Sequence, residues 1–259
     1  DREQFFSEYD SPYFFASDVF SGQKNIFDAD FELPIIELET IYRQKDRKFI
    51  EVLNAVRENR VEDNHLQVLN SRYSRDFSPS KSDKYIYLVT TNAEARTINE
   101  LEMKKLGQSE LDFVAEKSGK VPKSLYPNDT TITLCEGAQV MFICNDKERR
   151  WVNGTIGKIK EIRMEYNSEK DAEEIVIRVE KEDKKIVEVK RHEWEISKYV
   201  FHGGKFEREQ IGKYIQVPLR LAWAITVHKS QGKTFEKVII DFGRGTFAHG
   251  QSYVALSRC

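Results

Sequence analysis

The chain has 259 residues, 39% of them hydrophobic and 32% charged, with 41 basic residues against 43 acidic ones and a formal net charge of −2. No stretch approaches 18 uninterrupted apolar residues, so no transmembrane helix is expected, and the acidic, aromatic start DREQFFSEYD lacks the basic and apolar regions of a secretory signal. Three cysteines (Cys135, Cys144 and Cys259) without a CxxC pair argue for a reducing, intracellular compartment and against a disulfide framework or a structural zinc.

Residues 1–34 are rich in Phe and Tyr without a clean period, and read as a lead-in that lies against some other body. A strand is expected at 35–39, then a short loop carrying Arg43. A helix follows from about 46 to 59, capped by Asp46, with Ile50, Leu53 and Val56 at helical spacing. KYIYLVTTNAEARTINELEMKKL, residues 84–106, reads as a β-α unit. Tyr85–Val89 form a buried strand, and a helix begins after Thr91-Asn92 with Ile98, Leu101 and Met103–Leu106 on its apolar face.

The texture changes over 131–215, where short alternating segments are separated by Gly, Asn-Asp and charge clusters. Four or five strands there suggest a small β-barrel, with EKEDKK (180–185) as a solvated hairpin tip. From 216 the α/β texture returns. LRLAWAIT reads as a strand, VHKSQG as a short helix closed by Gly232, and KVIIDFG as another strand. Strands alternating with helices on both sides of the β-rich part imply a parallel sheet interrupted by an insertion.

Gly232-Lys233-Thr234 ends like a phosphate-binding loop, but the loop G-x-x-x-x-G-K-[ST] needs a glycine five positions before Gly232, where Val227 stands. Such a loop also follows a strand and opens a helix, whereas this tripeptide closes one. What remains is a set of polar residues after a strand end, Thr226, His228, Lys229, Ser230 and Gln231, where open α/β sheets place their ligands. Arg258, after an apolar stretch, and Arg43, after a strand, carry the fixed guanidinium fork suited to a phosphate, with a surface ion pair as the plainer alternative. Asp241, ending VIID, has the look of a metal-binding strand-end aspartate without an identifiable partner. No Ser-His-Asp or Cys-His set stands at informative spacing.

Taken together and in order, LRLAWAITVHKSQGKTFEKVIID and GQSYVALSRC resemble motifs V and VI of the superfamily-one DNA helicases, in the RecD/Pif-type branch. IELETIYRQKDRKFIEVLNAVR is similar to that family's motif IV, YLVTTNAEARTINELEM to its Thr-Asn block, and EGAQVMFICND with WVNGTIGKI to the strands entering its small barrel. The resemblance covers essentially the whole chain. It implies an α/β fold, a RecA-like parallel-sheet domain with an inserted small all-β barrel. The expected parts are 1–34 from a first motor domain, 35–130 and 216–259 as the two parts of the second RecA-like domain, and 131–215 as the barrel.

The family's phosphate loop and Mg²⁺-binding aspartate have no counterpart here, so the resemblance implies the C-terminal part of a longer, monomeric helicase acting on single-stranded DNA, 5′ to 3′. ATP and Mg²⁺ would be held mainly by a first RecA-like domain of the same parent, which is the expected protein partner; no membrane partner is implied. Arg43 and Arg258 match the arginines that reach the γ-phosphate, Gly232, Thr234 and Gln231 match the nucleotide side of motif V, and Thr226, His228, Lys229, Thr91 and Asn92 match its strand side. Asn145 and Asn153 stand as either strand contacts of the barrel or turn residues. A bacterial cytoplasm leads, and a nucleus or mitochondrion fits as well. The alternatives are an inert strand-binding module of the same shape and, from a third class, an adaptor built around the barrel.

Overall fold

A computed structural model of the chain describes residue 36 and residues 44–79, 85–168, 171–202 and 205–259. The expected lead-in, Arg43 and, apart from Ile36, the strand at 35–39 lie outside the described residues. The first helix, α1 (Arg47–Arg57), is started by Asp46, whose carboxylate accepts from the backbone N–H groups of Lys48 at 2.9 Å and Phe49 at 3.3 Å. These are donors that no helical turn can satisfy. The helix buries Val52, Leu53 and Ala55. A second helix, α2 (Asp63–Asn70), has no counterpart in the sequence reading. Its one buried residue is His65, an apolar-pattern miss, whose Nδ1 accepts from the Glu62 backbone N–H at 3.0 Å.

β1 (Ile86–Val89) lies between β12 (Ala224–Thr226) and β13 (Val238–Asp241), parallel to both, with Val89 level with Thr226 on one side and Asp241 on the other. The crossover helix α3 (Asn92–Lys104) begins in a reciprocal cap. Thr91 Oγ1 accepts from the Glu94 backbone N–H at 3.2 Å, and Glu94 Oε2 accepts from the Thr91 backbone N–H at 3.1 Å. Asn99 then pins the helix to the sheet by donating to the Ala224 carbonyl at 2.8 Å and accepting from its N–H at 2.9 Å. Met103 is buried as expected, but Leu101 is 53% exposed and does not belong to the apolar face.

The antiparallel strands exceed expectation in number and extent. Seven lie within 131–216: β4 (Thr131–Leu134), β5 (Gln139–Phe142), β6 (Ile156–Asn167), β7 (Ala172–Lys181), β8 (Ile186–Val189), β9 (His192–His202) and β10 (Lys205–Gln216). Antiparallel pairing also takes in β2 (Leu111–Val114), β3 (Glu116–Gly119) and β11 (Leu219–Leu221). They make three sheets, ordered β11-β5-β6-β7-β8, β3-β10-β9 and β2-β4. The charged tip between β7 and β8 is the expected hairpin turn, with Lys184 at φ 65°.

The expected single strand LRLAWAIT is two strands in two sheets: β11 pairs antiparallel with β5, and β12 pairs parallel with β1. Side-chain alternation breaks at the switch, since Ala222 and Ile225, three residues apart, face the same core. Leu219, Leu221 and Trp223 face the core of the β insert, while Ala222 and Ile225 face the core of the parallel sheet. β5 is buried on both faces for the same reason. Val140 and Phe142 join the insert's core, and Met141 joins Ile86, Leu88 and Ile225 in the other. Buried Gln139 fastens the seam, its amide donating to the carbonyls of Tyr85 at 3.0 Å and Ala222 at 2.9 Å. The insert and the parallel sheet therefore share packing rather than hinging freely.

Candidate nucleic-acid interface

The strand end of β12 leads into a 3₁₀ turn, His228–Ser230, and then a loop closed by Gly232. Gly232 has φ +79°, and a Cβ added there would meet nothing within 4 Å, so the requirement at this position is the left-handed backbone rather than space. Thr226 is buried, and its hydroxyl accepts from the Lys229 backbone N–H at 3.3 Å, holding the turn in place. The Lys229 ammonium reaches across to Asn92 Oδ1 at 3.0 Å, at the start of α3.

Thr226, Lys229 and Asn92 line one cleft of about 860 Å³, floored by Ala224 and Ile225 and closed on the insert side by Asn128 and Arg220. Three of the five expected strand contacts are thus brought together. Thr91, next to Asn92, is engaged in the helix cap, and His228 is exposed on the turn. The cleft also carries residues that sequence reasoning missed. Arg220 on β11 donates to Asn128 Oδ1 at 3.1 Å, and Asn128, 3% exposed, donates to the carbonyls of Val217 at 3.1 Å and Leu219 at 3.0 Å. Only the alternation of PLRLAW, which sets Arg220 opposite Leu219 and Leu221, could have flagged it.

Partial desolvation by the cleft walls, and then the charge of Arg220, hold the Lys229 pKa below the ordinary lysine range, with Asp129 acting weakly the other way. Lys233 is lowered by the same two causes. A cation in this condition gains from an incoming anion, because the anion removes both the repulsion and the unmet need for a counter-charge.

The expected nucleotide-side residues Gln231, Gly232 and Thr234 are exposed on the loop that continues from this turn. Arg258 meets the loop from below, after helix α4 (Gln251–Leu256). It is only 6% exposed, and its guanidinium donates to the carbonyls of Ser230 and Lys233, both at 3.3 Å, and of Val254 at 2.8 Å. Its own carbonyl accepts from the Phe235 N–H at 2.9 Å. Arg258 therefore lies inward, against the loop, rather than presented at a surface. Asn145 and Asn153 make turn contacts, Asn145 Oδ1 accepting from the Asn153 N–H at 2.8 Å, but Asn153 Oδ1 also accepts from Lys233 Nζ at 3.0 Å. Asp241 accepts from the Gly243 N–H at 2.8 Å, and among the described residues no group of His, Cys, Asp or Glu could hold a metal ion.

No family model matches the chain. An ATP-dependent DNA helicase Pif1 of Bdellovibrio bacteriovorus is 30% identical over 221 residues, which are 83% of this chain and 46% of that protein. Among solved structures, Bacteroides sp Pif1 in complex with ADP-AlF4 is 34% identical with a TM-score of 0.75, and covers the whole of this chain with 55% of its own. Bacteroides Pif1 bound to ssDNA is 34% identical with a TM-score of 0.67 over the same shares. The chain spans about half the length of these proteins.

Proposed function

Because the chain belongs to the Pif1 family of DNA helicases, we propose that it is the second motor half of an ATP-driven helicase that moves along single-stranded DNA, 5′ to 3′. The observation that carries this is the placement of two kinds of residue on one short segment. Thr226 and Lys229 line a cleft with Asn92, and five residues later the same segment exposes Gln231, Gly232 and Thr234 above Arg258. A hydroxyl, an amide and an ammonium suit sequence-independent phosphate contacts.

This chain alone does not make a nucleotide site. It contains no G-x-x-x-x-G-K-[ST] loop. ATP with Mg²⁺ supplies the phosphoryl transfer where a cradle for it exists, which this reading places on a first motor domain of the same protein. The contribution of this chain is to hold a backbone phosphate at Thr226, Lys229 and Asn92, and to bring Arg43 and Arg258 to the charge that develops on the γ-phosphate. Such arginines contribute about 10³–10⁵ in rate. To do so Arg258 must exchange the carbonyls of Ser230 and Lys233 for phosphate oxygens, which frees the loop between strand and nucleotide. That exchange is a direct route from ATP to strand.

The inward Arg258 supports a second reading, a strand-binding module of helicase shape without a catalytic contribution. One experiment separates the two. In a longer protein that carries the phosphate loop, Arg258→Ala is expected to lower ATP turnover by orders of magnitude while single-strand binding is largely kept. Near-normal turnover would favour the inert module.

A further inference from the structure

A carboxylate at the third position of a helix closes a reciprocal cap by accepting one backbone N–H, as Glu94 Oε2 does from Thr91 at 3.1 Å. The same oxygen also accepts from the Thr91 hydroxyl at 2.9 Å, and from the hydroxyl of buried Thr90, the residue after β1, at 3.2 Å. Three donors from the strand end thus converge on one charged oxygen, which fixes the side chain in place. Its other oxygen, Oε1, faces Gly243 in the loop after β13, where an added Cβ would stand 2.5 Å from it. Gly243 is itself held at φ +53°, its N–H donating to Asp241 Oδ1 at 2.8 Å. Glu94 therefore spans the carboxyl ends of two neighbouring parallel strands, β1 and β13.

We propose that Glu94 is a positioning residue of the motor, which sets Asn92 at the cleft and takes its own place from Gly243. Asn92 opens α3 just before Glu94, and its Oδ1 accepts from Lys229 Nζ at 3.0 Å. The bonds from Thr90 and Thr91 to Glu94 locate the start of α3, so Asn92 stands where they put it. Gly243 belongs to the loop 242–250, which leads into α4 and Arg258. Within that loop the Phe247 N–H donates to Oε1 of buried Gln251, the first residue of α4, at 3.1 Å. A movement of the loop at Gly243 towards α3 meets a carboxylate held by three donors, and reaches Asn92 through it. The loop after β13 is thus a tie between Arg258 and the cleft that is separate from the segment after β12. The assignment also gives Thr91 a different part from the one its sequence match implies. Its hydroxyl donates to Glu94 Oε2 and accepts from the Glu94 N–H at 3.2 Å, so it holds the helix start rather than the strand.

The inference rests on the reading of Asn92 as a strand contact, and the test keeps the two apart. Affinity for a labelled dT20 oligonucleotide is measured on the 259-residue chain, with a thermal melt of each variant. The methyl of Gly243→Ala pushes the Glu94 carboxylate aside, so this variant and Glu94→Ala are each expected to weaken dT20 binding several-fold. Combined, they are expected to weaken it little more than Glu94→Ala alone, because the carboxylate to be displaced is already gone. Strain at the positive φ is common to both backgrounds and cancels in the cycle. Glu94→Asp is a second background, for the case in which Glu94→Ala fails to fold. It keeps a negative charge in the first turn of α3 but ends one methylene short of Gly243. A carboxylate that merely capped the helix would move the melt without this coupling in affinity. Additive losses in these backgrounds, or wild-type affinity in Gly243→Ala, overturn the proposal, and weakening by Asn92→Ala then leaves the strand reading standing. If Asn92→Ala binds dT20 like the wild type, or the wild type does not bind it, both fall.

Discussion

Arg258 is the residue at which sequence and structure say most about each other. Its match to the family's motif VI marked it as a phosphate ligand, and nothing local could show that its guanidinium would be covered by Ser230, Lys233 and Val254 carbonyls. Burial of a side chain is decided by elements far apart in sequence, here α4 and the loop after β12. A residue that only reached for nucleotide would leave stability unmoved. Arg258→Ala in the isolated chain is instead expected to lower stability by about 1–3 kcal/mol, since it strands buried carbonyls. That corresponds to roughly 2–4 °C in Tm per kcal/mol, which a thermal melt resolves.

Lys229 makes a second prediction at the same scale. It must be protonated to hold a phosphate, and its pKa in the free protein is lowered by desolvation and by Arg220. Affinity for single-stranded DNA should therefore decline with rising pH sooner than for an ordinary lysine, and binding in that range should take up protons. Calorimetry in buffers of different ionisation enthalpy measures this; no proton uptake would remove Lys229 from the contact.

Among the elements, those with local signals were legible. The Asp46 cap gave α1, and the Thr91 cap with the apolar run before it gave β1 and α3. The sheet switch inside LRLAWAIT was not legible, because the run is apolar on both sides of it and the partners, β5 and β1, lie far away in sequence. α2 was missed because its buried residue is a histidine held by a cap rather than an apolar stripe.

The turn that carries Asn153 depends on a local ion pair. Arg150 bonds both carboxylate oxygens of Asp146 at 2.8 Å, and with backbone N–H groups this lowers the Asp146 pKa to about 2. A carboxylate lowered in the folded state adds stability above its unfolded pKa of about 3.9, and loses it as pH falls from about 4 to 2. The Asp146 side chain is 8% exposed, but Arg150 is 41% exposed, so solvent screening reduces the contribution to on the order of 1 kcal/mol. Asp146→Asn should lower the melting temperature near neutral pH and remove that acid-side decline. An unaltered pH profile would mean the pair contributes nothing.

At the scale of the whole molecule, the packed seam is what makes a link between strand and nucleotide physically reasonable. Met141 and Ile156 of the insert sit in the core of the parallel sheet, and Gln139 bonds backbone on both sides. The loop at 230–233 is tied to the insert through Lys233 and Asn153, and Lys229 just before it is tied to the start of α3 through Asn92. The family and its fold were legible because the motifs near strand ends are short and local. The cleft was not, since Asn92, Arg220 and Lys229 meet only once the parallel sheet and the insert are assembled.

The most direct test of the central claim, that this chain is the strand-holding half of a helicase motor, is the affinity of the isolated chain for a dT20 oligonucleotide across a salt series. Steep weakening with salt is predicted, with a log–log slope of about −0.7 for each phosphate held. Binding that is absent, or indifferent to salt, would contradict it.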